Sequence, residues 1–120
     1  MVNQGRIVAE VAGGLIGVAN QRFINEGVLE VTGGAKFMLD GDWQNLGGIV
    51  CTNGTLELGG RFQVADLGSF DCAGGVVQLT GKLDNQGTTL LLDESKGLWR
   101  LNRGTIWGGV VETEGTGRLV

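Results

Sequence analysis

The chain has no histidine, and this narrows what its other reactive residues can do. Its two thiols, Cys51 and Cys72, have no imidazole to take a proton, so a Cys–His nucleophile is excluded. Two thiols without histidine also rarely complete a closed zinc site. Carboxylates two residues apart project from the same side of a strand. Asp40 with Asp42, and Glu112 with Glu114, are spaced in this way. Paired carboxylates can carry glycoside hydrolysis or hold calcium. Neither pair, however, stands among further acids and bases, and Asp40-Gly41-Asp42 does not fit the GGxGxDxUx calcium repeat. The glycines make no phosphate loop: GxxxxGK[ST] is missing, and Gly13-Gly14 with Gly17 does not form GxGxxG. Thr55, Thr88, Thr89, Thr105, Thr113 and Thr116 do not form the regular outward row that ice binding needs. The expectation is a protein without enzyme activity, metal or cofactor.

Composition limits the elements that carry these residues. The 120 residues make one ordinary domain, 1–120. Glycine accounts for 24 of them, and proline and tyrosine are absent. Collagen is excluded, since glycine does not recur at every third residue. With 42% hydrophobic and 18% charged residues, the chain has enough apolar surface to fold. The net charge of −4 argues against nucleic acid, which needs a positive field. No apolar run approaches the roughly 20 residues of a membrane span. The stretch from Ile7 to Ala19 is interrupted by Glu10 and preceded only by Arg6, so it is a poor export signal. Any such signal is expected outside this chain.

A short phrase recurs through the sequence: Asn or Asp, any residue, Gly. It begins at Asn3, Asn25, Asn45, Asp66, Asn85 and Asn102, with gaps of 22, 20, 21, 19 and 17 residues. In register with it, the fifth residue of each unit reads Ile7, Leu29, Ile49, Phe70, Thr89, Ile106. The seventh reads Ala9, Val31, Cys51, Cys72, Leu91, Gly108. Mixed residues lie between, which is the alternation of a half-buried strand. Turn formers follow, then a second alternating strand (Phe37 and Leu39, Leu56 and Leu58, Val77 and Leu79), then a short third segment.

A unit of this length cannot bury its own apolar face, but stacked units can, with strands about 4.8 Å apart. The expected fold is all-β: a right-handed parallel β-helix of about six coils, 17–22 residues each. An antiparallel sandwich would explain the alternation, but not the return of the same residue types at matching places. Leucine-rich repeats are unsuitable because LxxLxL is missing.

The coil assigns places to the remaining candidates. The Asn/Asp row becomes a structural ladder, since a stacked amide donates to one neighbour and accepts from the other. Cys51 and Cys72 become inward neighbours in adjacent coils, either a buried thiol pair or an inter-coil disulfide. Arg22, Arg61, Lys82, Arg100 and Arg118 each precede a large apolar residue and form a basic row broken by Asp42. That row would meet acidic polysaccharide or anionic headgroups, or serve as a solvated edge that resists aggregation; the second reading is preferred. Trp43 falls in the core. Trp107 falls at an outward position beside Leu90, available to a sugar or partner, or else covered by a neighbouring coil.

Phrases such as Asn53-Gly54-Thr55-Leu56-Glu57-Leu58-Gly59-Gly60 and Asn102-Arg103-Gly104-Thr105-Ile106 resemble the degenerate repeats of bacterial autotransporter passengers and filamentous-haemagglutinin-type adhesins. The resemblance covers nearly the whole chain. It implies a secreted or surface-displayed shaft, usually part of a longer protein, and carries over no binding residue. The expected function is therefore a structural or adhesive segment of an exported or cell-surface protein. Its expected partners are further coils of the same or a neighbouring chain, and surface polysaccharide. The first alternative is a self-assembling subunit that stacks end to end. The second is a polysaccharide-binding or polysaccharide-processing β-helix.

Overall fold

The computed structural model describes residues 2–18, 22–115 and 118–119. Short alternating segments separated by glycine turns cannot form long strands, and each coil accordingly contributes three brief ones. The first face collects Val2–Asn3, Phe23–Asn25, Trp43–Asn45, Arg61–Gln63, Lys82–Asp84 and Thr105–Trp107. The second collects Arg6–Ala9, Val28–Thr32, Gly48–Thr52, Ser69–Asp71, Thr89–Leu92 and Val110–Thr113. The third collects Leu15–Val18, Lys36–Leu39, Thr55–Leu58, Val76–Leu79, Leu98–Leu101 and Arg118–Leu119.

Every strand pairing among the described residues is parallel. The fold is thus the parallel β-solenoid that the repeat implies, wound through about five turns where about six coils were expected. The third face is one six-stranded sheet. The first face divides into two three-stranded sheets, between Trp43–Asn45 and Arg61–Gln63. The second divides after Ser69–Asp71. Two helical turns lie near these breaks: Val64–Leu67, and a 3-10 turn at Glu94–Lys96.

The core is a set of inward ladders. Phe37, Leu56, Val77 and Trp99 are each fully buried on the third face. Leu29, Ile49 and Phe70, with Val31, Cys51 and Cys72, line the second. Phe23, Trp43, Phe62 and Leu83 line the first, and the Trp43 and Phe62 rings meet in a tilted contact, centroids 4.6 Å apart, across the break in that sheet. Each such side chain contributes about 1.5–3 kcal/mol by leaving water.

The repeat departs from its expected register in the last coils. Leu90 and Leu92 point inward, while Thr89 and Leu91 face solvent, the reverse of the expected phase. Three residues separate Asn85 from the next strand, against two after Asn25 and Asn45. The side-chain period is two, so one added residue exchanges the faces. The phrase at Asn102 is also displaced. Lys82 pairs with Thr105 and Asp84 with Trp107, so Asn102-Arg103-Gly104 is an exposed turn ahead of the first face. Ile106 therefore faces inward on the first face rather than the second, and Gly108 lies in the turn beyond it.

Candidate functional site

The corner between the first and second faces holds the buried polar groups. The Asn3 amide donates to Asn25 Oδ1 at 2.9 Å, and the Asn25 amide to Asn45 Oδ1 at 2.8 Å. Asn25 also donates to the Gly27 and Gly48 carbonyls at 3.3 and 3.1 Å. Stacked beneath the amides are the glycines of the same phrase. A Cβ on Gly27 would lie 2.0 Å from the Gly5 carbonyl oxygen, and one on Gly47 2.1 Å from that of Gly27. The Asn-x-Gly repeat is thus two stacked requirements: an amide to bridge coils, and a residue without a side chain to let backbones meet.

The ladder ends at Asn45, which donates to the Leu67 and Ser69 carbonyls at 2.7 and 3.1 Å. Asp66, expected as the next rung, sits instead in the turn Val64–Leu67 and accepts from the Gln63 amide. A carboxylate cannot donate onward, and here it caps a helical turn. Asn85 is fully buried, but it bonds to the Val110 carbonyl and to Thr88 rather than to another Asn. Asn102 is exposed and outside the ladder. The amides in the ladder are not left-handed, since the non-glycine residues with positive φ among those described are Asn53 and Arg103.

Cys51 and Cys72 occupy adjacent coils on the second face, and both are free and fully buried. Register places them together, because Phe70 pairs with Ile49 and Asp71 with Val50. Their side chains hydrogen-bond to one another. That bond holds the Cys51 thiol below its ordinary value; burial opposes it, and the Gly54 and Val76 backbone N–H groups reinforce it. The same bond pushes Cys72 up, with burial and the Cys51 charge adding to the shift. Cys72 therefore keeps its proton, and Cys51 is the more acidic partner.

The expected basic row does not run the length of the solenoid. Arg61 pairs with Lys82, and the next place is Thr105. Arg100 pairs with Gln78 and Arg118 with Leu98, so both belong to the third face. Their misplacement follows from the displaced phrase at Asn102. Arg22 lies beside Asp42 at the other end of the row, since the Phe23 amide donates to the Asp42 carbonyl. Trp107 is 46% exposed and faces outward, but beside Asp84 and not Leu90. The Lys82 ammonium lies 4.6 Å from its ring centroid. Asp40 accepts from the Gly41 amide, while Asp42, Glu112 and Glu114 face solvent. Among the described residues no three His, Cys, Asp or Glu side chains converge on a metal position. Thr116 lies outside the described residues.

Two features escaped the sequence reading. The Lys36–Glu57 ion pair at 3.2 Å crosses coils on the third face and was signalled only by opposite charges 21 residues apart. Shallow surface grooves also lie at the corners, one of about 330 Å³ lined by Gly74, Gly75, Val76, Glu94, Gly97 and Leu98. Nothing in the sequence separates these glycines from other turn glycines. Comparison with protein-family models, with curated proteins and with solved structures gives no match.

Proposed function

We propose that this chain is a structural β-solenoid segment of an exported or cell-surface protein, a shaft without catalytic activity. The observation that carries the reading is the course of the inward ladders toward both ends. Ile7 and Ile16 in the first coil are half-buried, while their register partners Leu29 and Phe37 are fully buried. At the other end Leu101 is 43% exposed over a fully buried Leu79. An open parallel edge with half-covered apolar rungs suits another coil. That coil belongs either to the same polypeptide or to a second copy. The same edges favour end-to-end self-assembly as the second reading.

The test pairs two measurements on the purified chain: hydrolysis of a panel of neutral and acidic glycans, and sedimentation over a wide concentration range. The shaft reading expects no turnover. Hydrolysis abolished by Glu112→Gln or Glu114→Gln would overturn it. Self-assembly expects particles that lengthen with concentration, and a strict monomer throughout would reject it.

A further inference from the structure

The buried thiol pair lies at a particular coil boundary. Cys51 belongs to the coil that starts at Trp43, and Cys72 to the one that starts at Arg61. Between these two coils the first-face pairing is interrupted and the Asn ladder stops. The two sulfurs thus meet where the first-face pairing is lost, beside the second-face pairing of Ser69–Asp71 with Gly48–Thr52 and the Asn45 bonds to Leu67 and Ser69 that still join these coils.

The pair is also close to solvent, although neither residue has exposed surface. Gly74, Gly75 and Gly97 line the groove of about 330 Å³ just outside it. A Cβ on Gly75 would stand 2.7 Å from the Cys51 sulfur, and one on Gly97 3.1 Å from Cys72 Cβ. Only glycine backbone therefore separates the groove from the thiols at these points. A wall without side chains needs little displacement to admit a molecule as small as hydrogen peroxide.

We propose that Cys51 and Cys72 form a peroxide-sensitive dithiol, oxidised through this glycine-walled groove to a disulfide that locks the two coils together. Cys51 attacks as thiolate, breaking the peroxide O–O bond. Its sulfur takes one oxygen as sulfenic acid, and the second oxygen leaves as water. The Cys72 sulfur then displaces that hydroxyl, the S–S bond forms, and a second water departs. Overall two thiols lose two electrons and two protons to one peroxide, which becomes two waters. Stacked parallel strands hold α-carbons within the range a disulfide spans. The proposal is independent of the shaft reading, since it concerns the interior of the solenoid and not its ends.

The test is titration of the intact native chain with hydrogen peroxide, read by intact mass and by free-thiol count after denaturation. Wild type should lose about 2 Da and both thiols, and regain them with a dithiol reductant. Cys72→Ala should instead gain about 16 Da, as the sulfenic acid finds no partner. Cys51→Ala should likewise show no loss of about 2 Da, gaining at most about 16 Da on the remaining thiol. A second measurement on wild type requires no variant: the oxidation rate in low urea should stay constant. A rate that climbs with urea in step with global unfolding would overturn the proposal, as would oxygen addition to wild type without loss of hydrogen.

Discussion

Asn25→Ala removes the central rung of the amide ladder, and the structure sets its size. Asn25 is 1% exposed, accepts from Asn3, and donates to Asn45 Oδ1 and to two glycine carbonyls. Alanine leaves the Asn45 oxygen and the Gly48 carbonyl without this donor, in a place with little access to water. An orphaned buried polar group costs about 1–3 kcal/mol. The Asn3 amide retains weaker contacts to the Gly5 and Val28 carbonyls at 3.3 and 3.4 Å, so its loss is smaller. The expected cost is about 2–4 kcal/mol, a large part of a small domain's stability. Asn3→Ala is the internal control. Asn3 is 9% exposed and lies in the first coil, where water can replace its bonds, so about 1 kcal/mol is expected. Asn25→Asp should cost at least as much as the alanine change, because a carboxylate sets acceptor against the Asn45 acceptor. Urea unfolding followed by circular dichroism reads all three. An Asn25→Ala cost below about 0.5 kcal/mol, or equal to that of Asn3→Ala, would refute the ladder as a stabilising device.

Gly27→Ala forces a methyl against the Gly5 carbonyl and should cost about 3 kcal/mol in the same assay. Gly48→Ala, whose Cβ would meet nothing within 4 Å, should stay within about 0.5 kcal/mol. Trp107→Ala should cost less than about 1 kcal/mol, and Lys82→Met should add little to it if the cation–π contact is their shared term. Additive losses would contradict that contact. The Asp93 carboxyl is held below its usual range, first by the Ser95 hydroxyl, with desolvation opposing and the Ser95 amide and Lys96 assisting. A depressed folded value means that its contribution is present above the ordinary carboxylate range and lost as pH falls through the folded value. Hydrogen-exchange protection of the Ser95 amide should therefore fall with acid in wild type, and its pH dependence should flatten in Asp93→Asn.

The solenoid was legible because its strongest signal is geometric. Asn25-Glu26-Gly27 and Asn45-Leu46-Gly47 each need an amide and a bare backbone at one corner, and this need writes itself into the sequence at fixed spacing. The inward placement of Cys51 and Cys72 follows from the same register. In the phrases at Asp66 and Asn102 the first residue serves another end, one as a helical cap and one in a surface turn with Arg103 at φ 66°, while a Cβ on Gly68 or Gly104 would still lie 2.2 Å from a carbonyl oxygen of another coil. Phrase alignment gave the last interval as 17 residues, whereas pairing of Leu83 with Ile106 makes it 23. Arg100, Arg118 and the neighbour of Trp107 were misplaced through that single slip. Periodicity finds a coil but cannot tell which matching phrase closes it, because a surface turn and a ladder rung select the same small residues.

The two kinds of coil contact divide the molecule. Among the first three coils the first face is continuously paired, and amides run through its corner from Asn3 to Asn45. Beyond Asn45 the corner is widened by the turn Val64–Leu67 and by the longer connection after Asn85, and Asn45 and Asn85 donate to backbone carbonyls of the next coil rather than to another amide. Directional bonds fix register and apolar contacts do not, so at the boundary between these regions, where the first face is unpaired, register rests on the bonds of the other two faces and of Asn45. It is held by the unbroken third face, by the second-face pairing of Ser69–Asp71 with Gly48–Thr52, by the Asn45 bonds to Leu67 and Ser69, by the tilted contact of the Trp43 and Phe62 rings, and by the Cys51–Cys72 contact. Of these contacts, only that between the thiols can be converted into a covalent bond. A disulfide there would add a covalent coil-to-coil link at the point where the first face is unpaired and the Asn-to-Asn bonds end.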